Sequence, residues 1–347
     1  MSKIKIFDST IRDGSHAIAH QLTENNIEEY CQAMDDSGIY ALIVGHGNGL
    51  GASSLQVGLS LLPDDVMLTI ARDNLKNTKL GAYMIPGFGT IEDNLIPAVK
   101  IGVDVFKIGC HCTEADTTRQ HIEYLRDRNK ETYGILMMYH MASVERVLEE
   151  ARKMQSYGAN GVILMDSAGA STPEMVKRVI STLYSSLNIK IGFHAHNNLG
   201  LAIGNSYIAL QEGAEIIDGT LRGFGAGAGN CQLEAFLALL EKNAIYTGVD
   251  FKKVLGVSND IMPQIMKQDM GLDSLSIVSG MSGVFSAFKL PVQRAAKEFD
   301  VDPIEIFKEL GMQRAIGGQE DMIIEVAEKL SKPFGLDNVG YHLSSLL

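Results

Sequence analysis

Asp13, in the run Arg12-Asp13-Gly14-Ser15-His16, and the pair His194 and His196, in His194-Ala195-His196, offer one carboxylate and two imidazoles. This mixed oxygen and nitrogen donor set suits a catalytic divalent ion. On a strand, the two histidines leave the same face, because side-chain direction repeats every second residue. Three protein ligands leave coordination positions open for substrate and water. Arg12 supplies a fixed cation for an enolate or carboxylate, and His16 is a candidate base, since an unperturbed imidazole titrates near pH ~6.5. Such a set suits a 2-oxo acid, whose carboxylate and keto oxygens chelate a metal while positive charge stabilises the enolate left by cleavage of the C3–C4 bond. The rival lysine Schiff-base route has one strand-internal candidate, Lys107.

Eight short apolar runs must position these groups: Ile4–Phe7, Ala41–Val44, Leu80–Met84, Val105–Gly109, Gly134–Met138, Gly161–Met165, Lys190–Phe193 and Glu215–Asp218. Helical patterns lie between them, among them Glu24–Ser37, Thr117–Asn129, Ser143–Gln155, Pro173–Ser186 and Gly200–Gln211. Gly38, Gly158 and Gly213 follow such helices and are expected to end them in left-handed backbone. The alternation predicts an α/β fold, a (β/α)8 TIM barrel with a small C-terminal helical domain. Polar clusters follow the strand candidates: Arg12–His16, His46, His111, His140, Asp166-Ser167, His194–Asn198 and Arg222. A barrel gathers all of these at its C-terminal face, where barrel active sites lie. Beyond about residue 262 only helical patterns remain (Met281–Phe299, Pro303–Leu310, Asp321–Leu330), with Leu290-Pro291 expected to kink the first. The expected domains are 1–262, catalytic, and 263–347, a helical partner or communication domain.

Some polar residues have two readings. His20 is either a group behind His16 or a surface histidine; His46 and His140 are either site residues or ordinary turn histidines. Asn197 and Asn198 are expected to orient the imidazoles. Gly223–Asn230 is expected to hold an anion at the start of a helix opening near Cys231–Glu234. Cys110-His111-Cys112 fits a strand end with reduced thiols better than a metal site.

With 347 residues, 46% of them hydrophobic, the chain is long enough for one barrel plus an appendage. A net charge of −12 argues against a nucleic-acid partner. No run is long and apolar enough for a membrane span, and the first residues lack an apolar signal core. The four cysteines follow no disulfide or zinc spacing. A cytoplasmic protein is expected.

The residues Asp8, Thr10, Arg12, Asp13, Gly14, His194 and His196, with Gly229-Asn230 and Glu234, resemble the signatures of the DRE-TIM metallolyases. The acyl-CoA branches of that family carry Gln where this chain has His16; histidine resembles the 4-hydroxy-2-oxovalerate aldolase branch. Stretches at 111–116, 136–141, 166–167, 223–234 and 317–322 support the same branch, so the resemblance covers most of the chain. It implies a divalent metal, most commonly Mn2+ with Mg2+ or Co2+ as alternatives, and no organic cofactor. It implies retro-aldol cleavage of 4-hydroxy-2-oxopentanoate or a related acid to pyruvate and a short aldehyde. Ser167 is then expected to hold the pyruvate carboxylate, Asn230 to reach the metal or its surroundings, and Gly317 and Gly318 to line a passage for the aldehyde. The implied partner is an acylating acetaldehyde dehydrogenase, in a homodimer or heterotetramer. Two departures stand out: Phe285, in Met281-Ser-Gly-Val-Phe285, replaces a tyrosine, and Asn197 replaces a histidine. Two other readings remain open, an acyl-CoA-dependent Claisen synthase or lyase and a non-catalytic scaffold subunit for a dehydrogenase.

Overall fold

Each of the eight apolar runs forms a strand in the computed structural model, which describes residues 4–331. They are β1 (Lys5–Asp8), β2 (Ala41–Val44), β3 (Lys79–Met84), β4 (Val105–His111), β5 (Glu131–Met137), β6 (Gly161–Asp166), β7 (Lys190–Ala195) and β8 (Ile216–Gly219). All pair in parallel with their neighbours, and β1 closes the barrel against β8 in register from Lys5↔Ile216 to Asp8↔Gly219. The runs are continuously apolar because both faces are buried. Along β6, Val162 and Leu164 pack outward on the helices, while Ile163 and Met165 join Phe7, Ile43, Tyr83 and Ile135 in the lumen. Five strands (β1, β4, β6, β7 and β8) run one or two residues past their apolar limits, carrying Asp8, His111, Asp166 and His194 on the ladder.

At the opposite, N-terminal end, Glu131 plugs the lumen. It accepts from Lys5 Nζ and Lys79 Nζ (both 2.6 Å) and from Tyr40 Oη (2.7 Å), and Tyr133 Oη also donates to it.

Local signals place most helix ends. Val144–Tyr157 starts where Ser143 Oγ accepts from Arg146 N and ends at Gly158, at φ 100°. Pro173–Ser186 is capped by Thr172. The first long helix, Glu24–Met34, stops short of the expected Ser37. Asp35 there leaves helical geometry, and its carboxylate accepts from the backbone N–H groups of Lys76, Asn77 and Thr78. Helices Asp64–Asn74, Ile96–Ile101 and Phe251–Asp260 complete the ring and were not among the patterns read from sequence.

After Ile265 come helices Ser274–Ser282, Lys289–Phe299, Pro303–Met312 and Asp321–Ser331. The expected single helix Met281–Phe299 is therefore corrected to two. Gly283, at φ 67°, ends the first, while Pro291 sits in the opening turn of the second, where a missing N–H has no partner to lose. These helices bury their own cluster, including Val284, Phe288, Val292, Phe307, Leu310 and Val326. Asn198 ties it to the barrel, donating to Ser276 O (3.2 Å) and accepting from Ser286 Oγ (2.9 Å). Residues 332–347 of the expected second domain lie outside the described residues. No helix among the described residues is long and apolar enough to cross a membrane.

Candidate active site

Strand β1 delivers Arg12, Asp13 and His16 through a short helical turn, Thr10–Asp13, and a 3-10 turn, Gly14–Ile18. Asp8 Oδ1 accepts from Thr10 N (2.8 Å) and Asp8 Oδ2 from Tyr30 Oη (2.6 Å), which anchors the turn's start. Burial pushes the Asp8 carboxyl up to about 6, against those hydrogen bonds. From two strands away, across β8, β7 carries His194 and Ala195, and His196 follows as a bridge partner of Asn230.

The predicted triad is assembled. Asp13 Oδ2 lies 3.9 Å from His194 Nε2 and 4.0 Å from His196 Nε2, and all three residues are buried. Donor atoms of the three lie within 4.8 Å of one another, and His194 Nε2 has no hydrogen-bond partner. A buried, unpartnered imidazole nitrogen facing a carboxylate fits a divalent cation, since unsatisfied polar groups are costly in a folded interior. Burial opposes the charge on Asp13, but Arg12 and the imidazoles of His196 and His194 outweigh it and hold the carboxyl well below its usual range. Burial lowers His196 to about 3, so it is a neutral donor at ordinary pH.

Asp13 is further fixed by the Gly223–Asn230 loop. Its Oδ1 accepts from Ala226 N (3.1 Å) and from Asn230 Nδ2 (2.9 Å). The anion held by that loop is thus the protein's own carboxylate, and the helix after it starts at Leu233. Gly225 is required by close approach, because a Cβ there would overlap both Asn230 Nδ2 and Asp13 Oδ1. Asn230 Oδ1 is buried with no partner. Glu234 plays a structural part, accepting from Arg222 N and Ser258 Oγ. Arg222 pairs with Asp269 and donates to Ser258 O.

Arg12 is 2% exposed. Its Nη1 donates to Asp13 Oδ2 (2.6 Å) and Gly47 O (3.1 Å), leaving Nε and Nη2 without partners. The guanidinium rests 4.9 Å from the Tyr83 ring centroid. Burial lowers the His16 pKa, against the Asp13 charge and a backbone hydrogen bond to Gly47, so its imidazole is neutral near pH 7.

The orienting partners differ from expectation. Asn197 Oδ1 accepts from Ala202 N, and Asn198 binds the C-terminal helices, so neither asparagine orients an imidazole. For His194 that place is taken by Asp218, whose Oδ2 lies 3.0 Å from His194 Nδ1 across the register pair His194↔Asp218. Asp218 in turn pairs with Lys107 Nζ. Lys107 is fully buried, which lowers its pKa, but its ammonium is engaged by Asp218 and Ser9, so it is no free nucleophile. His20 and His46 stack on each other at 3.7 Å and bond to Val57 O and Gly58 O, behind His16. His140 bonds to Gly283 O.

A cavity of about 10 Å³ lies at the centre, lined by Arg12, Asp13, His16, His196, Tyr83 and Phe285 among others. It holds one water at most. Two larger cavities flank it, and both share Asn48 with it. One, of about 240 Å³, is lined by Phe285, Gly317, Gly318, Met137 and Ile85; the other, of about 480 Å³, by His16, Ala226 and Lys289. A Cβ on Gly317 would lie 3.0 Å from the Phe285 ring, so those two pack directly. Ser167 does not line the central cavity: its Oγ accepts from Met138 N at 3.3 Å. Asn48, Tyr83 and Asp218 went unnoticed in sequence. Asp218 ends an apolar run, the one signal that could have found it.

The HMGL-like family model matches residues 98–261, and the DmpG-like communication domain matches residues 270–332. The chain is 50% identical over 330 residues to the 4-hydroxy-2-oxovalerate aldolase of Pectobacterium atrosepticum, covering 95% of this chain and 96% of that one. It is 51% identical over 327 residues to the enzyme of the same name from Spirochaeta aurantia, covering 94% and 96%. The fold is also that of the carboxyl transferase domain of Rhizobium etli pyruvate carboxylase, solved with pyruvate and biocytin (TM-score 0.80, 15% identity, 95% of this chain and 61% of that one). The family and the triad together support a divalent metal. At this identity, over nearly its full length, the chain belongs to the 4-hydroxy-2-oxovalerate aldolase family.

Proposed function

We propose that the chain is a divalent-metal-dependent aldolase that cleaves 4-hydroxy-2-oxopentanoate, or a related 4-hydroxy-2-oxo acid, to pyruvate and an aldehyde. The observation that carries this reading is the cluster of Asp13, His194 and His196, of which Asp13 and His196 line one cavity together with Arg12, which has two unpartnered nitrogens, and His16. A divalent ion held by Asp13, His194 and His196, with manganese the preferred candidate, would supply the positive charge that a 2-oxo acid chelates and that favours its enolate. Arg12 Nε and Nη2, buried and without partners, donate to the oxygen on which enolate charge develops. Neutral His16 takes the proton of the C4 hydroxyl. As that proton leaves, the C4–O bond becomes a carbonyl and the C3–C4 electron pair passes into the enolate; a proton returned to C3 completes pyruvate.

Ser167 serves the pyruvate carboxylate in this reading, supported by the length of its two contacts, 3.3 and 3.4 Å, which are cheap to exchange. Asn230 serves the metal or its surroundings through its unpartnered Oδ1. The aldehyde departs through the 240 Å³ cavity beside Phe285, Gly317 and Gly318. The communication-domain match over residues 270–332 supports an acylating aldehyde dehydrogenase as its recipient; the reading is completed by a cytoplasmic assembly, a catalytic unit spanning 1–262 and a partner-facing unit spanning 263–347.

The test is pyruvate release from racemic 4-hydroxy-2-oxopentanoate with Mn2+, without coenzyme A, and again with chelator. Release that chelator abolishes is expected. No release from metal-loaded protein would favour a different 2-oxo acid or the acyl-CoA reading, and no release with no bound metal would favour the scaffold.

A further inference from the structure

Among the residues lining the central cavity, Tyr83 carries the one hydroxyl. It projects from β3 into the lumen, among residues that are otherwise apolar or belong to the site. Three features set its position. The Arg12 guanidinium rests over its ring, which fixes the ring beside the oxyanion-binding nitrogens. Gly109 on the neighbouring strand clears space for Oη, since a Cβ there would overlap it. Met137 Sδ, 3.0 Å away, is its hydrogen-bond partner, and Met137 lines both the central cavity and the 240 Å³ cavity. Oη therefore sits near the junction through which the C4 half of the substrate must pass.

A thioether is a weak acceptor. Tyr83 thus holds a buried hydroxyl that loses little by turning to a better acceptor. Burial pushes its pKa up, against the pull of Arg12, so the hydroxyl remains a donor across the working range. The other large ring in the cavity, Phe285, offers no polar atom.

Resting on the aldolase reading, we propose that Tyr83 Oη donates a hydrogen bond to the C4 oxygen of the substrate and so determines which C4 enantiomer is cleaved. His16 receives the proton of that oxygen, Tyr83 polarises it from β3, and the side of C4 left for the substituent is the side facing Phe285 and Ile85. A hydroxyl-for-hydrogen change in a buried polar contact discriminates strongly, because the unmatched enantiomer leaves the donor unpaired.

The experiment measures kcat/KM for pyruvate release from the separate 4R and 4S forms of 4-hydroxy-2-oxopentanoate, in wild type and Tyr83→Phe, with Mn2+. Phenylalanine keeps the ring under Arg12, so the fold and the guanidinium have the same support. Pyruvate C3 hydrogen–deuterium exchange, which involves no C4 oxygen, is followed by NMR in both proteins. Tyr83→Phe is expected to lower kcat/KM for the preferred enantiomer by about tenfold or more, to bring the enantiomer ratio toward one, and to slow pyruvate exchange far less. An unchanged ratio would overturn the proposal, as would equal losses in cleavage and exchange, which would mark a packing role. If wild type released no pyruvate from either form, the aldolase reading would fall first and this inference with it.

Discussion

At the residue scale, the proposed mechanism divides its labour between groups that hold charge and one, His16, that moves a proton. Asp13 carries the most contacts: it faces both imidazoles, pairs with Arg12, and accepts from Ala226 N and Asn230. Asp13→Ala or His194→Ala is therefore expected to lose bound divalent metal and pyruvate release together, as measured by metal content of dialysed protein beside the aldolase assay. His16 touches neither oxygen of Asp13 and bonds to the Gly47 backbone. His16→Ala is expected to retain metal while cleavage drops by about 10²–10⁴-fold, the usual yield of a positioned acid–base group. Cleavage at the wild-type rate would remove His16 from that role. The triad was legible in sequence because its residue types are rare in combination. Asp218 was not, since nothing in a run ending Ile216-Ile217-Asp218 announces that β8 lies in register with His194.

At the element scale, turns rather than helices set the geometry. The Gly223–Asn230 loop encloses Asp13 only because its backbone passes within contact distance of the carboxylate at Gly225. Gly225→Ala is expected to weaken metal affinity by about tenfold or more with little change in secondary structure, by displacing Asn230 and Asp13. Calorimetric metal titration with circular dichroism checks this; unaltered affinity would mean that the loop yields without disturbing its carboxylate. Strands were the best-read elements, since eight doubly buried apolar runs have few other uses. The break in the C-terminal region was misplaced. Pro291 is the louder local signal, yet a proline in a helix's first turn is harmless, and the break falls at Gly283.

At the scale of the whole molecule, the barrel is a sandwich of two polar layers around apolar rungs. The site occupies one end; Glu131, Lys5, Lys79, Tyr40 and Tyr133 close the other. The lysines and tyrosines outweigh burial and hold the Glu131 carboxyl down at about 2, against an ordinary value of 4.5. As pH falls, the unfolded chain takes up this proton first, so the stabilisation is complete above about 4.5 and is lost progressively down to about 2. Glu131→Gln is expected to cost about 0.5–1.5 kcal/mol at neutral pH by weakening the acceptor shared by the part-buried hydrogen bonds of Lys5, Lys79, Tyr40 and Tyr133. The gap from wild type should narrow as pH falls from 4.5 toward 2. Denaturant midpoints across that range measure it, and a gap independent of pH would assign the loss to packing.

The amino-acid sequence by itself determined the class of fold and singled out the candidate metal ligands together with Arg12 and His16. Each rests on residue type and short-range spacing: period-2 placement, apolar runs, polar residues just past strand ends. Tertiary structure alone decided the partners. It gave the orienting position to Asp218 and sent Asn198 to the C-terminal helices. It engaged Lys107 in an ion pair, turned the glycine loop onto Asp13, and brought Tyr83 into the cavity with Phe285. These choices depend on strand register and on contacts between residues 100 or more positions apart, such as Lys107 with Asp218 and Asp13 with Asn230. Local sequence carries no information about such pairings, because the free energy that selects them comes from burying both partners at once.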